Sequence, residues 1–225
     1  MKTLNTAHVN TWLFDLDNTL YPPSTQHELL RVYDQMVKFA QQRWNLDVGN
    51  AREMVSDPHR RHGATVLGFV REKGIPPEAF LRTTYDNTTL DLLDTWRDSP
   101  ELTEARQRLA ALPGRRIIFT NAVAEYAERT LDHLGLKHLF EDVIVDVRFG
   151  GYHPKPMPQI YDALLGFTGI DPKHAVFVED TQKNLAPAKE MGMTTILVNR
   201  PDETPQPFVD AAFPDLLSFL RQVTV

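Results

Sequence analysis

The chain has 225 residues, 42% of them hydrophobic and 24% charged, with a formal net charge of −6 and no cysteine. This length suits one large α/β domain or a core with a small second domain, and no apolar run approaches the length that crosses a bilayer. The missing cysteines exclude disulfides, thiolate nucleophiles and zinc–thiolate sites, and the scattered Lys and Arg exclude the basic face that a nucleic acid polymer requires.

Met1 to Val9 is polar and lacks a signal-like apolar segment, so the expected compartment is the cytoplasm. Short apolar runs rich in β-branched residues follow at Thr11 to Phe14, Arg116 to Thr120, Val143 to Val147, Ala175 to Val178 and Thr194 to Val198. They show little polar alternation, as expected of a parallel sheet covered on both faces.

Helical stripes fit between most of these runs. Ser99, Pro100 and Glu101 offer an N-cap, a proline at the first helical position and a first-turn acid. Leu102, Ala105, Leu109 and Leu112 form one stripe, and Ala124, Ala127, Leu131 and Leu134 form a second that Gly135 stops. Ile160, Leu164 and Phe167 suggest a third. Leu185, Ala188 and Met191 suggest a fourth, with Pro187 in its first turn. The alternation predicts a doubly wound, mostly parallel, Rossmann-like α/β sheet.

The stretch from Pro22 to Arg97 is too long for one crossover helix. Thr25 to Glu28 reads as a capping box, and Leu29, Tyr33, Met36, Val37, Ala40 and Trp44 keep helical spacing behind it. Weaker helical segments fall near Val66 to Val70 and Pro77 to Thr84. The expected organisation is an α/β core of residues 1–21 and 98–225 with a helical cap of residues 22–97 inserted after the first strand. Such an insertion lies over the strand ends where ligands bind in open α/β sheets.

Phe14-Asp15-Leu16-Asp17-Asn18-Thr19 brings two aspartates to the end of an apolar strand. Successive strand side chains alternate in direction, so both reach one site only if the chain turns after Asp15, and Asn18-Thr19 suits that turn. Plain backbone capping is the alternative for this segment. Thr120-Asn121 ends another strand and opens a helix, either as a phosphate cradle or as an ordinary N-cap. Lys155 is stiffened by Pro154 and Pro156. Glu179 and Asp180 end a further strand, where adjacent carboxylates repel unless a cation lies between them. Oxygen ligands without cysteine point to Mg²⁺.

In this order the four segments resemble the motifs of haloacid dehalogenase-like hydrolases, from about Trp12 to Val198. Asp15-Leu16-Asp17-Asn18-Thr19-Leu20-Tyr21-Pro22 is similar to the pyrimidine 5′-nucleotidase group, as is Glu179-Asp180 followed by Asn184. His62-Gly63-Ala64-Thr65-Val66-Leu67-Gly68 resembles that group's segment in the cap, with His62 and Ala64 as departures. The resemblance implies Asp15 as nucleophile and metal ligand, and Asp17 as general acid/base that also lends its carbonyl to Mg²⁺. It implies Thr120 and Asn121 on the phosphoryl group, and Lys155 as the cation offsetting Asp15 and the phosphate. Asp180 then ligates the metal, with Glu179 doing so directly or through water, and His62 and Thr65 are candidate substrate contacts from the cap.

The expected function is Mg²⁺-dependent hydrolysis of a small phosphomonoester, a pyrimidine nucleoside 5′-monophosphate, through an aspartyl-phosphate. The alternatives are the same chemistry on a sugar phosphate or phosphoglycolate, and a catalytically silent phosphate-binding regulator. A phosphomutase shares the motifs. A dehalogenase needs neither Asp17 nor the Glu179/Asp180 metal site. The expected partner is the small substrate, with no nucleic acid polymer and no membrane; monomer and homodimer stay equally open.

Overall fold

Strands apolar on both faces can be buried only between two layers of helix, and this chain builds such a sandwich. The computed structural model describes residues 6, 8–23, 27–141 and 143–223. Among these the strands are β1 (Thr11–Phe14), β2 (Arg115–Phe119), β3 (Ile144–Val145), β4 (Ala175–Glu179), β5 (Thr194–Val198) and β6 (Ala211–Phe213). They pair in parallel in the order β3-β2-β1-β4-β5-β6. The order reverses between β1 and β4, so the loops leaving these two strands diverge to opposite sides and open a crevice at their carboxyl ends.

Helices α1 (His27–Trp44), α2 (Val48–His62), α3 (Thr65–Lys73), α4 (Pro77–Tyr85) and α5 (Asp94–Arg97) all lie between β1 and β2. α6 (Pro100–Ala111) leads into β2, and α7 (Ala124–His133), α8 (Pro158–Thr168), α9 (Gln182–Glu190) and α10 (Leu216–Leu220) follow in turn. Among the described residues no helix is long and apolar enough to cross a membrane.

Side-chain alternation divides the core. Leu13, Ile117, Phe119 and Phe177 pack with Ile160, Tyr161 and Leu164 of α8 and with Leu185 and Ala188 of α9. Trp12, Phe14, Ile118 and Val178 face the other layer, with Leu102, Ala105 and Leu109 of α6 and Phe219 of α10.

The helices between β1 and β2 have an aromatic centre of their own. Phe80 meets Phe69 at 5.1 Å and Phe39 at 5.2 Å, and Trp44 meets Phe69 at 5.3 Å. Truncating a fully buried ring such as Phe80 to Ala costs about 3–5 kcal/mol. α2 and α3 approach so closely that a Cβ on Gly68 would come 2.2 Å from Cβ of Pro58, which explains glycine there. Where the chain returns from these helices, Trp96 Nε1 donates to the Leu20 carbonyl at 3.2 Å and ties the two crossings together.

Several expectations need correction. β3 is two residues long rather than five, because Asp146 turns its carboxylate onto the backbone N–H groups of Ala124 (2.8 Å) and Arg148 (2.9 Å). Phe167 is 58% exposed and meets Phe149 edge to face at 4.7 Å instead of joining the buried stripe of α8. Pro187 lies inside α9 rather than in its first turn. α2, β6 and α10 were not expected: α2 is largely polar with an internal proline, and the other two are only three and five residues long. Thr25, Gln26 and the side chains of His27, Glu28 and Leu29 lie outside what the structure describes.

Candidate active site

Asp15 is the residue after β1, and its backbone N–H still pairs with the Val178 carbonyl at 3.0 Å. The chain then turns. Asn18 adopts a left-handed conformation (φ 58°), and Asn199, after β5, holds its carbonyl through Nδ2 at 2.6 Å. Asn tolerates this backbone region better than most residues, so the turn is sequence-encoded. Thr19 donates to Asp15 Oδ2 at 3.1 Å.

Lys155 comes from the loop between β3 and α8 and is 3% exposed. Its Nζ donates at 2.7 Å to each of Asp15 Oδ1, Glu179 Oε2 and the Phe119 carbonyl. All three ammonium protons are thereby used. The rings of Phe119 and Phe177 lie 5.0 and 5.2 Å from the charge. Burial alone would lower the Lys155 pKa, but the adjoining Asp15 and Glu179 carboxylates outweigh it and hold the lysine above its ordinary value. Asn121 fixes the lysine's backbone from both sides: Lys155 N donates to Asn121 Oδ1 at 2.7 Å, and Asn121 Nδ2 donates to the Lys155 carbonyl at 3.2 Å. Thr120 is fully buried, and its hydroxyl oxygen accepts from Ala122 N at 3.0 Å, which leaves the hydroxyl proton to donate elsewhere.

The carboxylates are crowded. Burial and then Glu179 push Asp15 up to about 6, against the pull of Lys155. Burial and then the negative charge of Asp15 push Asp17 up to about 7, opposed by phenol hydrogen bonds from Tyr21 and Tyr126. Glu179 rises to about 7, mainly by burial. Asp180 also rises, by burial and then by Asp15, although Arg200 makes a short ion pair with its Oδ2 and donates from Nε to its carbonyl at 3.1 Å.

Asp15, Glu179 and Asp180 each offer an oxygen within 4.8 Å of the others, and all three residues are buried. An all-oxygen donor set of three carboxylates fits a hard divalent ion.

Above the strand ends lies a cavity of about 420 Å³. Its lower wall includes Asn121, Val147 and Pro154. Its upper wall, from the helices between β1 and β2, includes Tyr33, Met36, His59, Phe80 and Tyr85. Thr65 lines this cavity, but its hydroxyl donates to the Val55 carbonyl at 3.1 Å. His62 does not line this cavity, and its Nε2 lies 2.5 Å from Glu72 Oε1. The reason is helical phase. Val55, His59 and Gly63 recur every fourth residue along one face, and His62 falls beside it. His59 was therefore missed because α2 itself was missed. Tyr126 carries no motif signal. Arg200 could have been suspected from its position just beyond β5.

A family model described as haloacid dehalogenase-like hydrolase matches residues 9–192. The chain is 24% identical over 198 residues to Phosphate metabolism protein 8 of Saccharomyces cerevisiae, an alignment covering 83% of this chain and 60% of that protein. It is 28% identical over 198 residues to the glyceraldehyde 3-phosphate phosphatase of Methanocaldococcus jannaschii, with 83% of each chain covered. The fold is shared with a HAD phosphatase from Thermococcus onnurineus, at a TM-score of 0.60 and 20% identity over 95% of this chain and 97% of that one. With the family model spanning residues 9–192, the chain belongs to the haloacid dehalogenase-like hydrolases.

Proposed function

We propose that the protein is a phosphoric monoester hydrolase that uses Asp15 as nucleophile and Asp17 as acid/base, and that its substrate is a nucleoside 5′-monophosphate. The observation that carries this is the convergence of Asp15, Asp17, Lys155 and the Glu179/Asp180 pair at the crevice beside β1, next to a cavity of about 420 Å³ that reaches the Lys155 loop at Asn121 and Pro154. The phosphatase names of the relatives support the reaction class.

In the first step an Asp15 oxygen forms a bond to phosphorus as the ester bond breaks, and Asp17 gives its proton to the departing oxygen. In the second, water attacks the same phosphorus, Asp17 takes the water's proton, and Asp15 leaves as carboxylate. Splitting the displacement in two lowers each barrier. Raised to about 7, Asp17 can hold and release a proton near neutrality. Lys155 keeps one cation beside Asp15 throughout. The Thr120 hydroxyl, whose proton is available to donate, suits a phosphoryl oxygen. Asn121 serves chiefly by holding Lys155.

Mg²⁺ would be held by Asp15, Glu179 and Asp180, with the Asp17 carbonyl as a further ligand, and would supply positive charge against the phosphate. Residues 22–97 act as the cap that shapes the leaving-group pocket. Its aromatic and apolar lining, with Tyr33, Met36, Phe80 and Tyr85, favours a leaving group with a flat apolar face. The second reading is a three-carbon sugar phosphate, favoured by the 28% identity to a glyceraldehyde 3-phosphate phosphatase.

The deciding experiment is phosphate release from a panel of pyrimidine and purine 5′-monophosphates and glyceraldehyde 3-phosphate, with excess EDTA and then with Mg²⁺ restored. The proposal expects no turnover in EDTA and the highest kcat/KM on a nucleotide. Preference for glyceraldehyde 3-phosphate would select the second reading, and full turnover in EDTA would overturn the metal role.

A further inference from the structure

Asp17 is held in an unusual way for an acid that must move protons. The hydroxyls of Tyr21 and Tyr126 both donate to one of its oxygens, Oδ1, the first through a short bond and the second at 3.3 Å. Tyr21 is 1% exposed and follows on the same turn, four residues after Asp17. Tyr126 is fully buried and comes from the first turn of α7, 109 residues away in sequence. Its ring packs at 5.2 Å on Tyr85, which ends α4 and lines the cavity. Among the described residues no protein donor reaches the other oxygen, Oδ2.

We infer that Tyr21 and Tyr126 are positioning residues that fix the Asp17 carboxyl so that Oδ2 is the oxygen that carries and exchanges the proton. This rests on the reading of Asp17 as the acid/base of phosphomonoester hydrolysis. A carboxylate oxygen has two lone-pair sites. With both on Oδ1 facing phenol protons, a third proton there would displace a donated bond, whereas Oδ2 is open. In the first step the Asp15 oxygen bonds to phosphorus, the ester P–O bond breaks with its electron pair on the leaving oxygen, and the proton passes from Oδ2 to that oxygen. In the second, a water oxygen bonds to phosphorus, its proton returns to Oδ2, and the Asp15–phosphorus bond breaks to regenerate the carboxylate. The phenols keep their own protons in both steps.

The test is the leaving-group dependence of Tyr21→Phe, Tyr126→Phe and the double variant, each of which removes a hydroxyl and keeps the ring in place. With Mg²⁺ present, kcat/KM is measured on phenyl phosphate, p-nitrophenyl phosphate and a nucleoside 5′-monophosphate, alongside Asp17→Asn. A misplaced proton donor penalises poor leaving groups most. The expected result is a loss of about 10-fold on the nucleotide and phenyl phosphate, of the size that loss of a hydrogen bond to a charged group produces, with about 2-fold or less on p-nitrophenyl phosphate. The double variant should approach the selectivity pattern of Asp17→Asn. Equal losses on all three substrates, or no loss on any, would overturn the inference while leaving the acid role of Asp17 intact. If Asp17→Asn itself shows no leaving-group selectivity, the acid role falls and the inference with it. Should Tyr126→Phe fail to fold by thermal unfolding, Tyr21→Phe carries the same test alone.

Discussion

On the floor of the site, Lys155 is almost wholly buried and its ammonium is committed to Asp15, Glu179 and the Phe119 carbonyl. On the roof, His59 stands exposed at the cavity wall. The floor is made of charges delivered by strand ends, each pinned by two or more short bonds. The roof is made of rings and apolar side chains that pack and can repack. Fixed charge suits a transition state whose geometry is the same for every substrate, and an adaptable apolar wall suits the part that differs between substrates. Changes to the floor should therefore affect all substrates, and changes to the roof should reorder them.

The sharpest break of this contrast comes at Asp15. Asp15→Asn should reduce turnover to background on every phosphomonoester, with no phosphate found by mass spectrometry on the peptide that contains residue 15. Residual turnover that depends on the roof would erase the distinction. Next is Asp17→Asn, expected to lower kcat on a nucleotide by about 10²–10⁴-fold and the p-nitrophenolate burst by much less. An equal fall on both would remove the proton-transfer role.

A third effect concerns stability. Asp15 at about 6 and Asp17 and Glu179 at about 7 all stand above ordinary carboxyl values, so folding favours their protonated forms. That contribution is fully present below the unfolded values of about 4 and is lost as pH rises through 6 to 7. The surface acids with lowered values, exposed Asp91 and half-buried Glu104 among them, act only below this window. In EDTA the Tm should be higher at pH 5 than at pH 8, and saturating Mg²⁺ should narrow the gap because a cation favours the ionised carboxylates. Calorimetry showing the opposite slope in EDTA would contradict the crowded-acid description of the floor.

Roof substitutions are smaller. Tyr33→Ala and His59→Ala should shift the ranking of nucleotides against p-nitrophenyl phosphate by several-fold, each through one lost contact of about 1 kcal/mol. A uniform loss measured as kcat/KM would assign them to folding instead. Smallest is the seam between roof and floor, where Arg148 meets Glu78 of α4 at 2.9 Å, Glu125 of α7 at 2.7 Å and Asp146 at 2.9 Å. Glu78 is partly exposed, so Glu78→Gln should cost about 1 kcal/mol or less, and less still at high salt, by urea unfolding.

The floor was readable because its chemistry is local. Asp15-Leu16-Asp17 at a strand end, Thr120-Asn121 at another, Lys155 between prolines and Glu179-Asp180 at a third each announce themselves within a few residues, and strand order alone brings them together. The sheet core was readable for the same reason, since Leu13, Ile117 and Phe177 sit in apolar runs that only a covered sheet accommodates. The roof was not. Its stripe at Tyr33, Met36 and Trp44 predicted a helix, but α2 hides its apolar face among charged residues and carries Pro58 inside it. Without the phase of α2, nothing in the sequence marked His59 as a residue of the cavity wall.

By itself, the sequence determined the strand ends, the carboxylates they carry and the lysine held between two prolines, because backbone periodicity and turn chemistry act over a few residues. Only the tertiary structure decided that Tyr126 reaches across 109 residues to Asp17, that Arg200 pairs with Asp180, and which face of α2 lines the cavity. Those contacts depend on how separate elements pack, and packing depends on shape and burial summed over the whole fold rather than on any local pattern.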